Sequence, residues 1–288
     1  MSRQRRIVTM YKLIAIDMDD TLLGTDLKIS GINYDAIQKA RKVGAQVVIC
    51  SGRSTDSLWP YIKELDLVRP GEYTISYNGA VIVENGNRKK VFYRGISKEF
   101  IEYILRITKD WDVDVQLYEE DDLIIEKITD RVQEYIAMTG MKPRQVKDLR
   151  TAVKEDTIKI LINGEHEVLE EIATKIKPWT ERKAHMFFSK PNYLELVNVE
   201  ANKGLAVLHL AKELGIKQEE IMTIGDSFND LYMIEAAGMG VAVANAHKDI
   251  QKVADYVTQN THENHAVAEA IQKFILDNKN KRKEERKL

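Results

Sequence analysis

The sequence predicts an α/β protein, with a Rossmann-like, doubly wound parallel-sheet core interrupted by an inserted α+β unit. Three observations carry that expectation. Short apolar runs recur without clean polar alternation, as in strands covered on both faces of a parallel sheet. Helical periodicity separates several of them. In the middle of the chain the strand candidates alternate instead, as antiparallel strands with one open face do.

Each element can be justified in order. The runs "LIAI", "AQVVIC", "TISY", "IMTI" and "GVAVA" stop at Asp17, Ser51, Asn78, Gly225 and Asn245. Asn33 to Val43 places Ile37, Ala40 and Val43 near one helical face and stops at Gly44, a C′ residue. Lys203 to Leu214 sets Leu205, Leu208, Ala211 and Leu214 along one stripe and stops at Gly215. The alternating stretches are "VDVQLYEEDDLIIEK" and "TIKILI", with Glu119–Asp122 read as a solvated turn. Helical patterns at Lys98–Thr108, Asp130–Thr139 and Glu165–Ile176 lie among them. The expected division is a discontinuous core at 11–83 and 192–276, an inserted α+β cap at 84–191, and tails at 1–10 and 277–288. The charged end "NKNKRKEERKL" reads as a solvated helix end rather than a nucleic-acid patch.

Bulk properties narrow the class. The 288 residues suffice for a full core, and 44% hydrophobic with 31% charged residues fits a globular chain. A formal charge of -2 supplies no global field toward nucleic acid or membrane. No apolar run approaches the roughly 20 residues that cross a bilayer. A single cysteine, Cys50, excludes an internal disulfide and fits a reducing compartment, so the expected location is cytoplasmic.

The polar residues fall at strand ends: Asp17 and Asp19, Ser51 and Gly52, Asn78 and Gly79, Gly225 and Asp226. Ligands bind an open α/β sheet at the carboxyl ends of its strands, so these groups should converge on one crevice. With Asp17, Asp19, Asp226 and Asp230 that crevice is strongly anionic. Two like charges 4 Å apart repel by roughly 4 kcal/mol at an effective dielectric near 20. A divalent cation relieves this, and an oxygen-only donor set favours Mg²⁺ over Zn²⁺. The competing account of a lone aspartate such as Asp230 is a helix cap or turn. His262 and His265 lack further metal-type partners in sequence and read as capping or turn residues.

The motifs resemble one family. "DMDDTLL" resembles motif I of the haloacid dehalogenase superfamily, "ICSGR" motif II, "NKGLAVLHLAKELGI" motif III and "TIGDSFNDLYMIEAAG" motif IV, in the family's order. Little room lies between the first two and much between the second and third, which resembles Cof-type phosphatases with a large α/β cap. "SYNGA" and "VANAHKDIQKVADYVT" are similar to further pieces of that subfamily. Asp20 stands where many members carry Gly, and "THENHAVAEA" replaces an acidic, glycine-bearing turn.

The resemblance implies phosphoryl transfer through an aspartyl-phosphate. Asp17 would be the nucleophile and Asp19 the acid and base, with Asp20 pointing away. Mg²⁺ would be held by Asp17, the Asp19 carbonyl and Asp226. Ser51, Gly52 and Lys203 would bind the phosphoryl group; a lysine at a helix start gains only from a nearby anion, since the dipole disfavours it. Asp230 would orient Lys203, with Asn229, Thr21 and Arg53 in support. Asn78, Gly79 and Asn192 are candidates for substrate or outer contacts, and Lys190 and Tyr193 lie beside Asn192; a hinge would explain Pro191 and Asn192 equally well. The inserted unit would close over the crevice and select the leaving group. The leading expectation is a Mg²⁺-dependent phosphatase acting on a small phosphorylated metabolite, with no nucleic-acid or membrane partner. A phosphomutase or phosphotransferase on sugar phosphates would share the intermediate but isomerise its substrate. A non-catalytic sensor of phosphorylated ligands would bind without turnover.

Overall fold

A computed structural model describes residues 11–119, 122–153 and 156–277 of the chain. It divides them into two compact units, one of residues 11–92 with 202–277 and one of residues 93–201.

The first arm of the core carries β1 (Leu13–Ile16), α1 (Gly31–Lys42), β2 (Gln46–Cys50), α2 (Thr55–Glu64), β3 (Tyr73–Ser76), β4 (Val81–Glu84) and β5 (Lys89–Tyr93). Ser30 caps α1 by accepting the Asn33 N–H, and Gly44 takes φ +95° after its last turn.

The inserted unit carries β6 (Ile96–Ser97), α3 (Lys98–Thr108), β7 (Val113–Glu119), β8 (Asp122–Ile125), α4 (Asp130–Thr139), β9 (Lys142–Gln145) and α5 (Leu149–Ala152). It continues through β10 (Asp156–Thr157), β11 (Lys159–Gly164), α6 (His166–Thr180), β12 (Ala184–Lys190) and β13 (Tyr193–Asn198). Its six-stranded sheet has the order β12-β13-β11-β7-β8-β9. Every neighbouring pair in that sheet is antiparallel except β8 with β9, which is parallel. One face meets α3 and α6 through Leu117, Ile160, Ile162, Leu194 and Leu196, packed with Phe100, Ile104, Leu169 and Ile172.

The chain then forms α7 (Lys203–Glu213), β14 (Ile221–Gly225), α8 (Leu231–Ala236), β15 (Met239–Ala242), α9 (Lys248–Val253), β16 (Tyr256–Val257) and α10 (Ala266–Ile271). The core sheet runs β16-β15-β14-β1-β2-β3-β4-β5. From β16 to β3 all its pairs are parallel, and β4 turns back antiparallel on β3. Both faces are covered, which explains the unbroken apolar runs. Ile14, Ile16, Val47 and Ile49 pack with Ile37 and Ala40 of α1 and Ala270 of α10. Leu13, Ala15, Val48 and Cys50 face Ala206, Val207 and Leu210 of α7.

Three expectations change. The division falls at 92/93 and 201/202 rather than 83/84 and 191/192. β4 and β5 extend the core sheet, and β13 pairs with β11 and β12. Pro191 and Asn192 therefore form the β12–β13 hairpin turn, within one unit, and are no hinge. The stripe read for α7 is partly rotated: its Ala211 is buried and its Leu208 and Leu214 are half-buried against the core, but Leu205 is 50% exposed, while Lys203, Ala206, Val207 and Leu210 are buried. Lys203 sets that rotation by turning inward to two carboxylates. The charged tail 278–288, residues 1–10 and the centre of the Glu119–Asp122 turn lie outside the described residues.

Candidate active site

The site lies at the carboxyl ends of the core strands. Asp17 follows β1 directly, and its N–H still donates to the Ile224 carbonyl of β14 at 2.9 Å, so strand pairing holds the residue. Its side chain is buried. Asp19 follows in extended backbone (φ −77°, ψ 135°) and is half-buried; Asp20 turns to φ +54° and is exposed. Asn245 fastens this turn, donating from Nδ2 to the Asp20 carbonyl at 2.8 Å.

Lys203 opens α7 with its side chain fully buried. Its Nζ donates to Asp17 Oδ1 at 2.5 Å and to Asp230 Oδ1 at 2.6 Å. The other oxygen of Asp230 accepts the N–H groups of Asp226 and Ser227, at 3.0 and 3.1 Å. Asp230 is thus a turn cap and the lysine's partner together, and the two accounts of it do not compete. Gly225 leaves room for this: an added Cβ would lie 2.6 Å from the Asp230 side chain. Thr21 donates to Asp226 Oδ1 at 2.9 Å and orients that carboxylate.

Carboxylate oxygens of Asp17, Asp226 and Asp230 lie within 4.8 Å of one another. Three carboxylates against one ammonium leave two negative charges uncompensated. The consequences follow from burial and proximity. Burial and then Asp230 push the Asp17 carboxyl well up, with Lys203 opposing. Burial and then Asp230 raise Asp226 to about 6. Burial alone would lower Lys203, but Asp17 and Asp230 outweigh it and hold the ammonium charged. An anionic, oxygen-only donor set with this deficit fits a hard divalent cation. Asp230 already spends both oxygens on protein donors, so the better donors are Asp17 and Asp226.

Motif II sits beside them. Ser51 is buried after β2, and its Oγ accepts the Arg53 N–H at 3.2 Å. Gly52 is exposed, and a Cβ there would press on Asn78 Oδ1 at 2.9 Å; the close neighbour is a side chain of the protein itself. Arg53 forks onto Asp19, with Nε to Oδ2 at 2.9 Å and Nη2 to Oδ1 at 2.5 Å, and this pairing raises the guanidinium further. Asn78 accepts from Asn229 Nδ2 at 3.1 Å, and Asn229 Oδ1 accepts from Ser227 Oγ at 2.6 Å. Gly79, at φ +93°, lets β3 approach the start of α7, where a Cβ would meet the Asn202 carbonyl at 2.4 Å.

The core unit therefore brings together Asp17, Asp19, Thr21, Ser51, Gly52, Arg53, Asn78, Gly79, Lys203, Asp226, Asn229 and Asp230. Asn192 is not among them; it lies in a hairpin of the inserted unit, where its carbonyl accepts the Gly164 N–H at 3.2 Å. His262 and His265 belong to the turn before α10, with His265 at φ +68°. Sequence reasoning missed Asn245, although it ends a strand run as the other site residues do. It also missed Tyr61, two helical turns beyond Arg53 on α2, for which no sequence signal exists.

Comparison with known proteins gives the same assignment. The profile of the haloacid dehalogenase-like hydrolases matches residues 14–271. The chain belongs to the haloacid dehalogenase-like hydrolases. The Bacillus subtilis (strain 168) protein YxeH is 33% identical over 274 residues, covering 93% of this chain and 99% of that one. The 5-amino-6-(5-phospho-D-ribitylamino)uracil phosphatase YcsE of the same organism is 31% identical over 281 residues, covering 96% and 100%. A haloacid dehalogenase-like hydrolase of Bacteroides thetaiotaomicron, known from its crystal structure, superposes with a TM-score of 0.82 at 30% identity, over 92% of this chain and 100% of that one. This hydrolase is a phosphatase, a phosphoric monoester hydrolase.

Proposed function

We propose that the enzyme hydrolyses small phosphomonoesters, sugar phosphates or metabolites of similar size, through an aspartyl-phosphate on Asp17 with Mg²⁺. The observation that carries this reading is the buried Lys203 bridging Asp17 and Asp230 at 2.5 and 2.6 Å. A buried ammonium beside one carboxylate, with a second carboxylate holding it, suits a nucleophile that must meet a phosphoryl group already negative. The names of relatives support the substrate class: YcsE acts on a phosphorylated ribitylaminouracil, and a Cronobacter sakazakii relative 25% identical over 237 residues is an HMP-PP phosphatase. The lone, buried Cys50 suits a reducing compartment, and we assign the enzyme to the cytoplasm.

The steps follow from the side chains. An Asp17 oxygen bonds to phosphorus while the ester oxygen departs with the electrons of the broken P–O bond, and Asp19 gives that oxygen a proton. Water then attacks the phosphorus, Asp19 takes its proton, and Asp17 is released. Ser51 Oγ, the Gly52 N–H and Lys203 hold the phosphoryl oxygens, and Asp230 keeps Lys203 aimed. Mg²⁺, held by Asp17, Asp226 and the Asp19 carbonyl, would neutralise the anionic pocket and screen nucleophile from substrate. Thr21 orients Asp226 for that role, and the Asn229–Asn78 bond ties the motif II side to the motif IV side.

The test uses p-nitrophenyl phosphate. The protein should release phosphate with Mg²⁺, stop with EDTA, and lose about 10³-fold or more in Asp17→Asn. Full activity in Asp17→Asn would sink the nucleophile assignment. A sugar phosphate returned isomerised, with no free phosphate, would favour a mutase.

A further inference from the structure

Asp19 has a partner that the reaction scheme leaves without a task. Arg53 holds both carboxylate oxygens through two donors, Nε to Oδ2 at 2.9 Å and Nη2 to Oδ1 at 2.5 Å. The guanidinium is itself placed. Its centre lies 5.5 Å from the Tyr61 ring centroid, its Nη1 reaches the Tyr61 hydroxyl at 3.5 Å, and its backbone N–H donates to Ser51 Oγ at 3.2 Å. The Tyr61 hydroxyl donates to the Leu27 carbonyl at 3.1 Å, which fixes the tyrosine to the loop after Asp19. The Asp19 side chain is otherwise 47% exposed, on a short stem free to rotate.

We propose that Arg53, braced by Tyr61, is a positioning residue that aims the Asp19 carboxylate at the water of the second half-reaction. The inference rests on the aspartyl-phosphate reading and adds a residue to it. The physical reason is the fork. Two parallel N–H donors fix the plane of a carboxylate and occupy one lone pair on each oxygen, leaving the others outward. In the step concerned, a water oxygen bonds to phosphorus and Asp19 takes a proton from that water. The bond from phosphorus to the Asp17 oxygen breaks, its electrons returning to Asp17. A carboxylate free to turn would spend less time where that proton can be received.

The experiment separates the two halves of the reaction with p-nitrophenyl phosphate in Mg²⁺. Nitrophenolate leaves with little help, so kcat/KM reports attack by Asp17, while kcat reports hydrolysis once that step is slow. Arg53→Gln should lower kcat by about 10- to 100-fold, lower KM with it, keep kcat/KM within about threefold, and show a burst of nitrophenolate. Arg53→Lys should restore part of kcat, because a cationic donor remains although the planar fork is lost. Tyr61→Phe, which keeps the ring and removes only the hydroxyl, should shift kcat the same way by less. Equal losses in kcat and kcat/KM would overturn the proposal, since Arg53 would then serve phosphate binding or site shape. Unchanged kinetics in both Arg53→Gln and Tyr61→Phe would overturn it too. Asp19→Asn is the control: if it keeps full kcat, the base role itself fails, whereas a burst in Asp19→Asn without one in Arg53→Gln rejects the positioning role alone.

Discussion

Asp226 and Asp20 show what single residues decide. Half-buried beside Asp230, native Asp226 keeps its proton to about pH 6, where its ordinary value is 3.8. Without a cation, that carboxyl favours the native state below about pH 4, and the contribution is lost as pH rises through 6. Cation binding needs the ionised form and so competes with the proton. The rise in melting temperature produced by Mg²⁺ should therefore be larger at pH 7.5 than at pH 5, and Asp226→Asn should flatten the difference. Equal rises at both pH values would contradict the assignment. Asp20 is the opposite case. Its φ of +54° costs an L-residue energy, its exposed carboxylate has His262 Nε2 near it, at 3.8 Å, and its carbonyl holds Asn245. Asp20→Gly keeps the carbonyl and suits the backbone, so stability should change by less than about 1 kcal/mol. Turnover should persist, and a dead Asp20→Gly enzyme would show that its carboxylate has work in the site.

Among the elements, α7 carries the sharpest lesson. Its sequence offers two candidate faces, because leucines and alanines are spread around it. Hydrophobic spacing favours a face through Leu205 and Leu208; the structure leaves Leu205 exposed and Leu208 half-buried, and buries Lys203, Ala206, Val207 and Leu210. A charged side chain with two carboxylate partners outweighed one leucine, since an unpaired buried charge costs several kcal/mol and an exposed leucine little. Leu205→Lys should change stability by no more than about 0.5 kcal/mol. Leu210→Ala should cost about 2–5 kcal/mol by denaturant unfolding, through the cavity it leaves against the sheet. The reverse ranking would mean that α7 is turned as the leucine spacing suggests. For the core strands and for α3 and α4 no such conflict arises, and periodicity alone places them close to their observed limits.

On the scale of the molecule, two separate cores matter most. The apolar clusters of the core sheet draw on residues of 11–92 and 202–277, and the cluster of the inserted sheet on residues of 93–201. Among the described residues these clusters have no common member, and truncations in different ones should add within about 0.5 kcal/mol. Ile162→Ala, in the inserted sheet, should destabilise by about 2–4 kcal/mol and shift one calorimetric transition more than the other. A single transition that moves as a whole, with strongly non-additive Ile162→Ala and Val48→Ala effects, would argue against independent cores. Alternation in the sequence located the inserted unit but misjudged both its ends by about ten residues. Strand pairing decides those ends: β5 lies beside β4 at the edge of the core sheet, and β13 pairs with β11 and β12 of the inserted one.

By itself the sequence determined the α/β class, the strand ends and the acidic and basic groups that gather there. Those follow from local facts: burial on both faces writes apolar runs, and chemistry at a parallel sheet needs polar residues where the strands stop. Tertiary structure alone decided that Asp230 serves Lys203 and the turn at once, that α7 faces inward through its lysine, and that Arg53 forks onto Asp19 with Tyr61 behind it. Apart from the turn itself, the contacts that decide these join residues 186, 27, 34 or 8 positions apart, and a hydrogen bond is set by distance and angle in space, which no local pattern encodes.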